Sequence, residues 1–264
     1  MLNEYDICVA NKMINGHQLT ICCYVDDLKI SHIDAKEVTK FVSLIEAKFG
    51  KMNVSRGVSH TYLDIDFTIK DKKVEIVMKT YLQECIDAYG EAINTNAATP
   101  ANRDLFVLNP DSIPLEERRA KLFVHIVAKL LHVCERGRLN LQVGIGYLCT
   151  RVKDPRQQDW IKLRRMLQYI RGTIDLKRVV SLESSMKMDV YIDASHATHH
   201  DMKGQTGGCI MMGDGVIHGR SNKQKLNLLA TVIICHSPYG CCIFMNSRDT
   251  KFILEICIRT INLQ

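Results

Sequence analysis

The sequence predicts an α+β fold, in which antiparallel strand pairs and amphipathic helices occupy separate stretches of the chain. Three observations indicate this class. Short apolar runs joined by tight turns occupy residues 17–33 and 62–78, helical periodicity dominates residues 115–172, and a strand pattern returns after residue 187. The chain has 264 residues, of which 46% are hydrophobic, so it can build a sizeable core.

The first strand pair carries the most informative motif, Tyr24-Val25-Asp26-Asp27, between the apolar segments 17–25 and 28–33. We expect its two carboxylates at or next to a tight hairpin turn. Adjacent like charges repel, and Asp is a poor strand former, so stability does not account for the pair. A bound Mg²⁺ would account for the two carboxylates, because this ion prefers carboxylate oxygens together with substrate phosphates. The alternative is an exposed polar turn without a ligand.

The next segments predict one helix and a second hairpin. Residues 34–49 have a candidate N-cap in Asp34, with Glu37 completing a capping box and Gly50 as the stop. Its apolar face contains Val38, Phe41, Val42, Ile45 and Phe49. Residues 62–69 alternate like one strand and turn at 71–73 into a strand over 74–78. A short helix over 81–89 ends at Gly90.

The middle of the chain predicts a long loop followed by helices. Residues 94–114 are polar, contain Pro100 and Pro110, and indicate a linker or loop. Helices are predicted over 115–134 and 141–152, and a third starts at Asp154-Pro155, since Pro suits the first helical position. This third helix has an apolar stripe of Trp160, Leu163, Leu167 and Ile170. For Trp160, a core anchor is favoured over a base-stacking role.

Strand alternation over residues 188–193 and two further strands at 206–212 and 216–220 predict a three-stranded meander. The turn Gly213-Asp214-Gly215 joins the last two strands, and Asp193 ends the first. His196, His199 and His200 lie near Asp193, but no Cys or second carboxylate joins them, so a polar loop is favoured over a metal site. Cys235, His236, Cys241 and Cys242 have no standard zinc spacing.

Positive charge is concentrated in one segment. The net charge is +6, but residues 118–178 contain 15 Lys and Arg against 4 Asp and Glu, a local charge of +11. Such a concentration indicates binding to a polyanion, and the alternative is a solvated helical surface.

The remaining composition predicts an intracellular chain outside the membrane. Eleven scattered Cys without a CxxC pair indicate reduced thiols. The amino terminus has no secretory pattern. The most apolar stretch, residues 226–245, is interrupted by polar residues and Pro238, so we expect no spanning helix.

Taken in order, these blocks resemble the polymerase polyprotein of copia-type retrotransposons over about residues 8–227. The Tyr24–Asp27 motif resembles the catalytic hairpin of the reverse transcriptase palm. Residues 62–67 resemble the strand block that follows, where the family usually has Gly in place of Asp64. Later blocks resemble the end of the palm (99–100), the next helical region (127–140), the helix before ribonuclease H (160–173) and the opening strands of ribonuclease H (191–195, 205–208 and 221–225).

The resemblance implies a role for each matching residue. Asp26 and Asp27 would bind the Mg²⁺ ions of two-metal phosphoryl transfer at an RNA/DNA primer–template. Asp193 would be the first metal-binding acid of ribonuclease H. Tyr24 would line the primer–template side, and the basic helices would contact backbone phosphates. The nucleic-acid-binding residues implied in this way are Tyr24, Arg138, Lys162, Arg164 and Arg165.

The sequence departs from the family pattern at both ends. Only 23 residues precede Tyr24, whereas the family has another metal-binding Asp on a strand far upstream. No acidic residue lies between Asp214 and Asp249, where ribonuclease H needs a Glu. We therefore expect weak Mg²⁺ binding and no useful polymerase activity from this chain alone, unless the missing amino-terminal part arrives on another chain. Residues after about 227 are expected to come from a shifted frame or unrelated flanking sequence.

These expectations divide the chain into four segments: a partial palm (1–98), a helical thumb and connection region (99–184), a partial ribonuclease H-like domain with an incomplete mixed sheet (185–227) and a divergent tail (228–264). The leading hypothesis is a fragment of a retrotransposon RNA-directed DNA polymerase in the cytoplasm, the nucleus or both. One alternative is a non-catalytic nucleic-acid-binding remnant. Another is a poorly folded product whose palm sheet exposes its edges.

Overall fold

The computed structural model describes residues 2–181, 188–213 and 215–225, together with the backbone of two strands at 231–235 and 241–245. It contains both helices and antiparallel sheets, which confirms the predicted α+β class. Two compact units divide the chain, residues 1–67 and residues 68–264. The segment predicted over residues 1–98 spans this division.

The first unit begins with a three-stranded antiparallel sheet in the order β1-β2-β3. Its strands are β1 (Val9–Ile14), β2 (His17–Tyr24) and β3 (Asp27–Ser31). Asn15 and Gly16 join β1 to β2 with φ values of +50° and +77°, the left-handed pair of a type I′ turn. Strand β1 is not among the elements predicted from the sequence, although Asn-Gly between two apolar runs is a strong hairpin signal.

Helix α1 (Ala35–Phe49) follows the sheet, as predicted. The Asp34 carboxylate caps it by accepting a hydrogen bond from the Lys36 amide at 2.8 Å. At the other end Gly50 has a φ of +93°, and its N–H donates to the Glu46 carbonyl. Val42 on the predicted apolar face is buried, whereas Phe49 at the end of the helix is exposed.

The strand predicted over residues 62–69 is wrong as a single element. The chain forms β4 (Ser59–Tyr62), a tight turn at Leu63-Asp64 and β5 (Ile65–Lys70), and the division between the two units falls within β5. Both turn residues have positive φ, +53° and +60°. Leu63 and Asp64 continue the apolar–polar alternation, so the sequence pattern does not distinguish the turn from a continuous strand. Glycine adopts this conformation without strain, whereas Leu63 and Asp64 do not.

Over residues 71–181, the second unit contains a strand pair and four helices. Strand β6 (Lys73–Val77) pairs antiparallel with β7 (Arg178–Ser181). The helices are α2 (Lys79–Ala88), α3 (Glu117–Arg136), α4 (Gln142–Cys149), preceded by a 3₁₀ turn at Leu139–Leu141, and α5 (Gln157–Gly172). Their fully buried side chains include Leu82, Phe123, Ile126, Leu130, Leu163 and Leu167. Residues 90–116 form no helix or strand, as expected for a loop over 94–114.

Helix α5 begins two residues later than the sequence predicts. Pro155 is buried before the helix, and its carbonyl accepts a hydrogen bond from the Leu115 amide at 2.9 Å. Arg156 is the N-cap, and a capping box joins it to Asp159, whose carboxylate accepts from the Arg156 amide at 3.0 Å. Pro155 does not occupy the first helical position, because its hydrogen bond with Leu115 holds it outside the helix.

The last part of the second unit is the predicted meander. Strands β8 (Met188–Ser195), β9 (Gln205–Met212) and β10 (Gly215–Lys223) are antiparallel in the order β10-β9-β8, which confirms the three-stranded meander. Asp193 lies within β8, two residues before its end, and not at the end as predicted. Beyond them, β11 (Thr231–Cys235) pairs antiparallel with β12 (Cys241–Met245). The possible cluster of Cys235, His236, Cys241 and Cys242 lies outside the described side chains, as does most of the predicted tail. Across the described part of the chain, no helix is long and apolar enough to cross a membrane.

Candidate metal-binding hairpin and basic surface

The Tyr24–Asp27 motif forms the tip of the hairpin between β2 and β3. Tyr24 and Asp27 are opposite each other in the last cross-strand pair, so Val25 and Asp26 are the two turn residues. All four side chains are exposed. The hairpin therefore presents two adjacent carboxylates to solvent, one in the turn and one on the first residue of β3.

The backbone at this tip is strained. Val25 has a φ of +51°, and its side chain is 82% exposed. A left-handed conformation is unfavourable for a β-branched residue and costs about 1–3 kcal/mol. Packing does not compensate at such an exposed position. Strain of this kind is concentrated at functional sites, where the surrounding structure maintains it.

Tyr62 of the first unit interacts electrostatically with this site and is not among the predicted site residues. Its partial burial, and then the nearby Cys22 and Asp27, raise the pKa of the Tyr62 phenol. The Tyr62 phenol therefore lies within electrostatic range of the Asp27 carboxylate. No local sequence signal identifies this neighbour, because the two residues lie far apart along the chain.

The hairpin offers carboxylate oxygens, which Mg²⁺ prefers, but it offers only two carboxylates. Within the described residues, neither the Asp26 nor the Asp27 carboxylate accepts a hydrogen bond or forms an ion pair. No group of three or more His, Cys, Asp or Glu side chains that could hold a metal ion occurs in that part of the chain. Two carboxylates alone would leave most coordination positions to water, to substrate phosphates or to ligands from elsewhere.

Asp193, the predicted ribonuclease H acid, lies on β8 opposite Gly207 of β9. Its side chain is exposed and accepts a hydrogen bond from the Ala194 amide at 2.8 Å. The nearby His199 is buried, with Nε2 2.8 Å from Gln205 Oε1 and its ring 4.4 Å from that of Phe106. These contacts favour the predicted polar loop over a histidine metal site.

Arg138, predicted to contact nucleic acid, is only 3% exposed. Its guanidinium donates to the Thr173 carbonyl at 2.9 Å, to Thr173 Oγ1 at 2.7 Å and to Asn140 Oδ1 at 3.2 Å. Burial lowers the pKa of this group. The phosphate contact stays a prediction, and the geometry favours a structural role at the end of α5.

Three other predicted nucleic-acid contacts lie on α5, beside the loop 90–114. Lys162 Nζ donates to the carbonyls of Leu105 at 2.9 Å and Val107 at 2.8 Å, and to the Tyr147 hydroxyl at 3.1 Å. Further along the helix, Arg164 donates to the Ala92 carbonyl, Arg165 to Thr99 Oγ1, and Gln168 to Thr95 Oγ1. The loop is therefore fastened along the polar side of α5.

The free cationic surface is smaller than the charge of the segment 118–178 suggests. Most of its basic side chains form ion pairs or donate to carbonyl groups within the second unit. Arg118, Lys153 and Arg171 are exposed and have no hydrogen-bond or ion-pair partner among the residues that the structure describes. Arg164 is also exposed, and its bond to Ala92 is long, at 3.4 Å.

Sequence comparison relates the chain to transposon polyproteins. It is 23% identical over 236 residues to the Gag-Pol polyprotein of transposon Ty1-ER2 from Saccharomyces cerevisiae, a match that covers 83% of this chain and 13% of the yeast protein. The Ty1-LR3 Gag-Pol polyprotein of the same yeast is 22% identical, with the same coverage. No family model and no solved structure matches the chain.

The Ty1 polyproteins are copia-type retrotransposon polyproteins, so these similarities support a retrotransposon-derived protein. The chain spans only 13% of the length of these relatives.

Proposed function

We propose that the chain is a segment of a retrotransposon RNA-directed DNA polymerase, and that Asp26 and Asp27 contribute to its metal site. The observation that carries the proposal is the β2–β3 hairpin, whose strained tip holds two adjacent, exposed carboxylates. The similarity to Ty1 Gag-Pol polyproteins supports the retrotransposon origin that this proposal assumes.

The residues of the tip would have distinct tasks in this function. Bound Mg²⁺ would supply the electrostatic stabilisation of the attacking hydroxyl and the leaving pyrophosphate that two-metal phosphoryl transfer needs. Asp26 and Asp27 would hold the ions at the turn. The exposed ring of Tyr24 would face the primer–template.

We propose that this chain alone binds Mg²⁺ weakly and does not extend primers. Two carboxylates are fewer than a two-metal site uses, because bridging ligands must offset the repulsion between two dications. A further acid on another part of the polyprotein would complete the site. Asp193 is proposed as a metal ligand of a ribonuclease H-like site in the second unit.

Manganese binding tests the hairpin directly. Mn²⁺ replaces Mg²⁺ at oxygen sites, and electron paramagnetic resonance measures its free concentration. We expect Asp26→Asn and Asp27→Asn each to lower the Mn²⁺ binding seen in the wild type, leaving only any binding at Asp193. Asp71→Asn is the matched control, because Asp71 is an exposed acid in another hairpin turn. Equal Mn²⁺ affinity in the wild type and both hairpin variants would refute the metal site.

A non-catalytic nucleic-acid-binding function is the second candidate, and the uncommitted cations Arg118, Lys153 and Arg171 favour it. Fluorescence anisotropy with a labelled RNA/DNA duplex at several salt concentrations would measure it. We expect affinity to fall steeply with salt and to survive Asp26→Asn, because phosphate contacts release counterions and need no metal. Absence of binding even at low salt would exclude this candidate.

A further inference from the structure

A cavity of about 210 Å³ lies in the second unit between α4, α5 and the loop at residues 100–105. Gly144, Leu148 and Met166 contribute apolar lining. Three basic residues, Lys162, Arg164 and Arg165, also line it, against one carboxylate from Asp104. The volume is far above the roughly 10–15 Å³ that a single water needs, so a small anion can enter.

Arg165, one of the lining residues, has a donor without a partner. One of its terminal nitrogens donates to Thr99 Oγ1 at 3.0 Å. Its Nε is buried and has no hydrogen-bond partner among the described residues. Leaving a buried donor unpaired is unfavourable, and more so for a charged group. A rotation of the Arg165 side chain would bring this donor to an acceptor in the cavity, and the new hydrogen bond would offset that cost.

The two other cations complement Arg165 in different ways. Arg164 is exposed, and its long bond to the Ala92 carbonyl leaves most of its N–H groups available. Lys162 uses its three donors on Leu105, Val107 and Tyr147, so it contributes positive charge rather than a further hydrogen bond. Three cations against one carboxylate favour an anion over a neutral ligand.

We propose that this cavity binds a phosphate group through the guanidinium groups of Arg164 and Arg165, in the positive field of Lys162. Planar guanidinium groups match tetrahedral oxyanions in paired hydrogen bonds, which makes Arg the preferred partner of phosphate. The phosphate comes from a nucleic-acid backbone or from a free phosphate compound. In the first case the inference deepens the proposed function by giving the nucleic acid an anchoring point on α5.

Calorimetric titration of the full chain with inorganic phosphate at constant ionic strength tests the cavity apart from the metal hairpin. We expect Arg165→Gln and Arg164→Gln to weaken binding about tenfold or more, since a charge-assisted hydrogen bond contributes about 1.5–3 kcal/mol. Arg171→Gln removes the same charge from the same helix but outside the cavity lining, and it should change the affinity less than about twofold.

Arg165→Lys separates the guanidinium geometry from the charge. It keeps the positive charge and should still lose affinity, because lysine has no Nε–H in that position. Circular dichroism and thermal unfolding identify any variant that fails to fold. Three results would overturn the inference: no phosphate binding by the wild type, equal losses in Arg165→Gln and Arg171→Gln, or full affinity in Arg165→Lys.

A labelled single-stranded DNA distinguishes the two sources of phosphate. Competition between this DNA and inorganic phosphate, with parallel loss of both in Arg165→Gln, supports a backbone phosphate. Phosphate binding that DNA does not displace supports a free phosphate compound. Asp26→Asn should leave phosphate binding unchanged, so failure of the metal proposal and failure of the cavity proposal are separate results.

Discussion

Trp160 and Tyr89 stack with their ring centroids 4.4 Å apart and their planes 17° from parallel. Trp160 Nε1 also donates to the Glu91 carboxylate at 3.2 Å, and Arg119 donates to the same carboxylate at 2.8 Å. The Arg119 guanidinium lies 5.6 Å from the tryptophan ring centroid. The only tryptophan of the chain is therefore an anchor between α5 and the segment that follows α2.

Replacing this anchor should reduce the stability of the second unit strongly. We expect Trp160→Ala to lower the free energy of unfolding by about 3–5 kcal/mol, because it removes a large buried side chain. Trp160→Phe keeps an aromatic ring and should cost less. Ile161→Ala, at an exposed position of the same helix, should change stability by less than about 0.5 kcal/mol. Urea unfolding followed by circular dichroism measures all three, and similar losses at both positions would contradict the assignment.

Arg138 should contribute to stability rather than to nucleic-acid affinity. Arg138→Gln removes the charged donors to Thr173, so we expect a loss of about 2–3 kcal/mol in the free energy of unfolding. Arg118→Gln removes an exposed charge and should leave stability almost unchanged. Chemical unfolding combined with anisotropy measures both properties. A variant at Arg138 with normal stability and reduced nucleic-acid affinity would instead support the phosphate contact predicted from the sequence.

In the turn between β5 and β6, glycine should be more favourable than the natural Lys72. Asp71 and Lys72 have φ values of +51° and +59°, and Asp-Gly is a preferred pair for such a turn. Lys72→Gly should therefore raise the thermal midpoint by relieving about 1 kcal/mol of backbone strain. Lys70→Gly, in the neighbouring strand, should lower it by a similar amount. Stabilisation by both substitutions, or by neither, would contradict this account of the turn.

Two buried thiols should make the second unit sensitive to alkaline pH. Burial raises the pKa of Cys85 to about 11 and that of Cys134 to about 12, from an ordinary value of 9.0. The folded state therefore holds these protons more tightly, and the resulting stability is complete below about pH 9. The free energy of unfolding should fall as the pH rises from 9 towards 12, by about 1.4 kcal/mol for each unit of pKa difference.

Urea unfolding at pH 8, 9 and 10 measures this effect. The double variant Cys85→Ala and Cys134→Ala should be less stable at neutral pH but should show a shallower decline. An unchanged decline in the double variant would assign the alkaline sensitivity to other groups.

The hairpin tip could be predicted from the sequence because its signals are local. Apolar runs on both sides of adjacent acids define the turn, and charge places Asp26 and Asp27 in solvent. The relation of Tyr62 to Asp27 could not be predicted, because it depends on how separate strands come together. Alternation also failed at Leu63-Asp64, where a two-residue turn preserves the period of two and so resembles a continuous strand.

The basic segment shows a different limit of sequence interpretation. A sum of charges gives the right local value, but it does not tell which cations remain available. Arg138 is buried at the end of α5, where it donates to the Thr173 carbonyl. Lys162 donates to the carbonyls of Leu105 and Val107, which lie in an irregular loop. Carbonyl positions in an irregular loop leave no periodic trace in the sequence, so these contacts appear only in the structure.

The fastening of the loop 90–114 to α5 determines how this chain can be dissected. The polar composition of the loop suggests a fragment boundary at residue 98. Such a boundary would separate three hydrogen-bonded pairs, Glu91 with Trp160, Ala92 with Arg164 and Thr95 with Gln168. Each piece would then expose donors or acceptors that the other normally satisfies. Expression fragments that keep residues 79–172 together would avoid this, even though their most polar and least regular stretch lies in the middle.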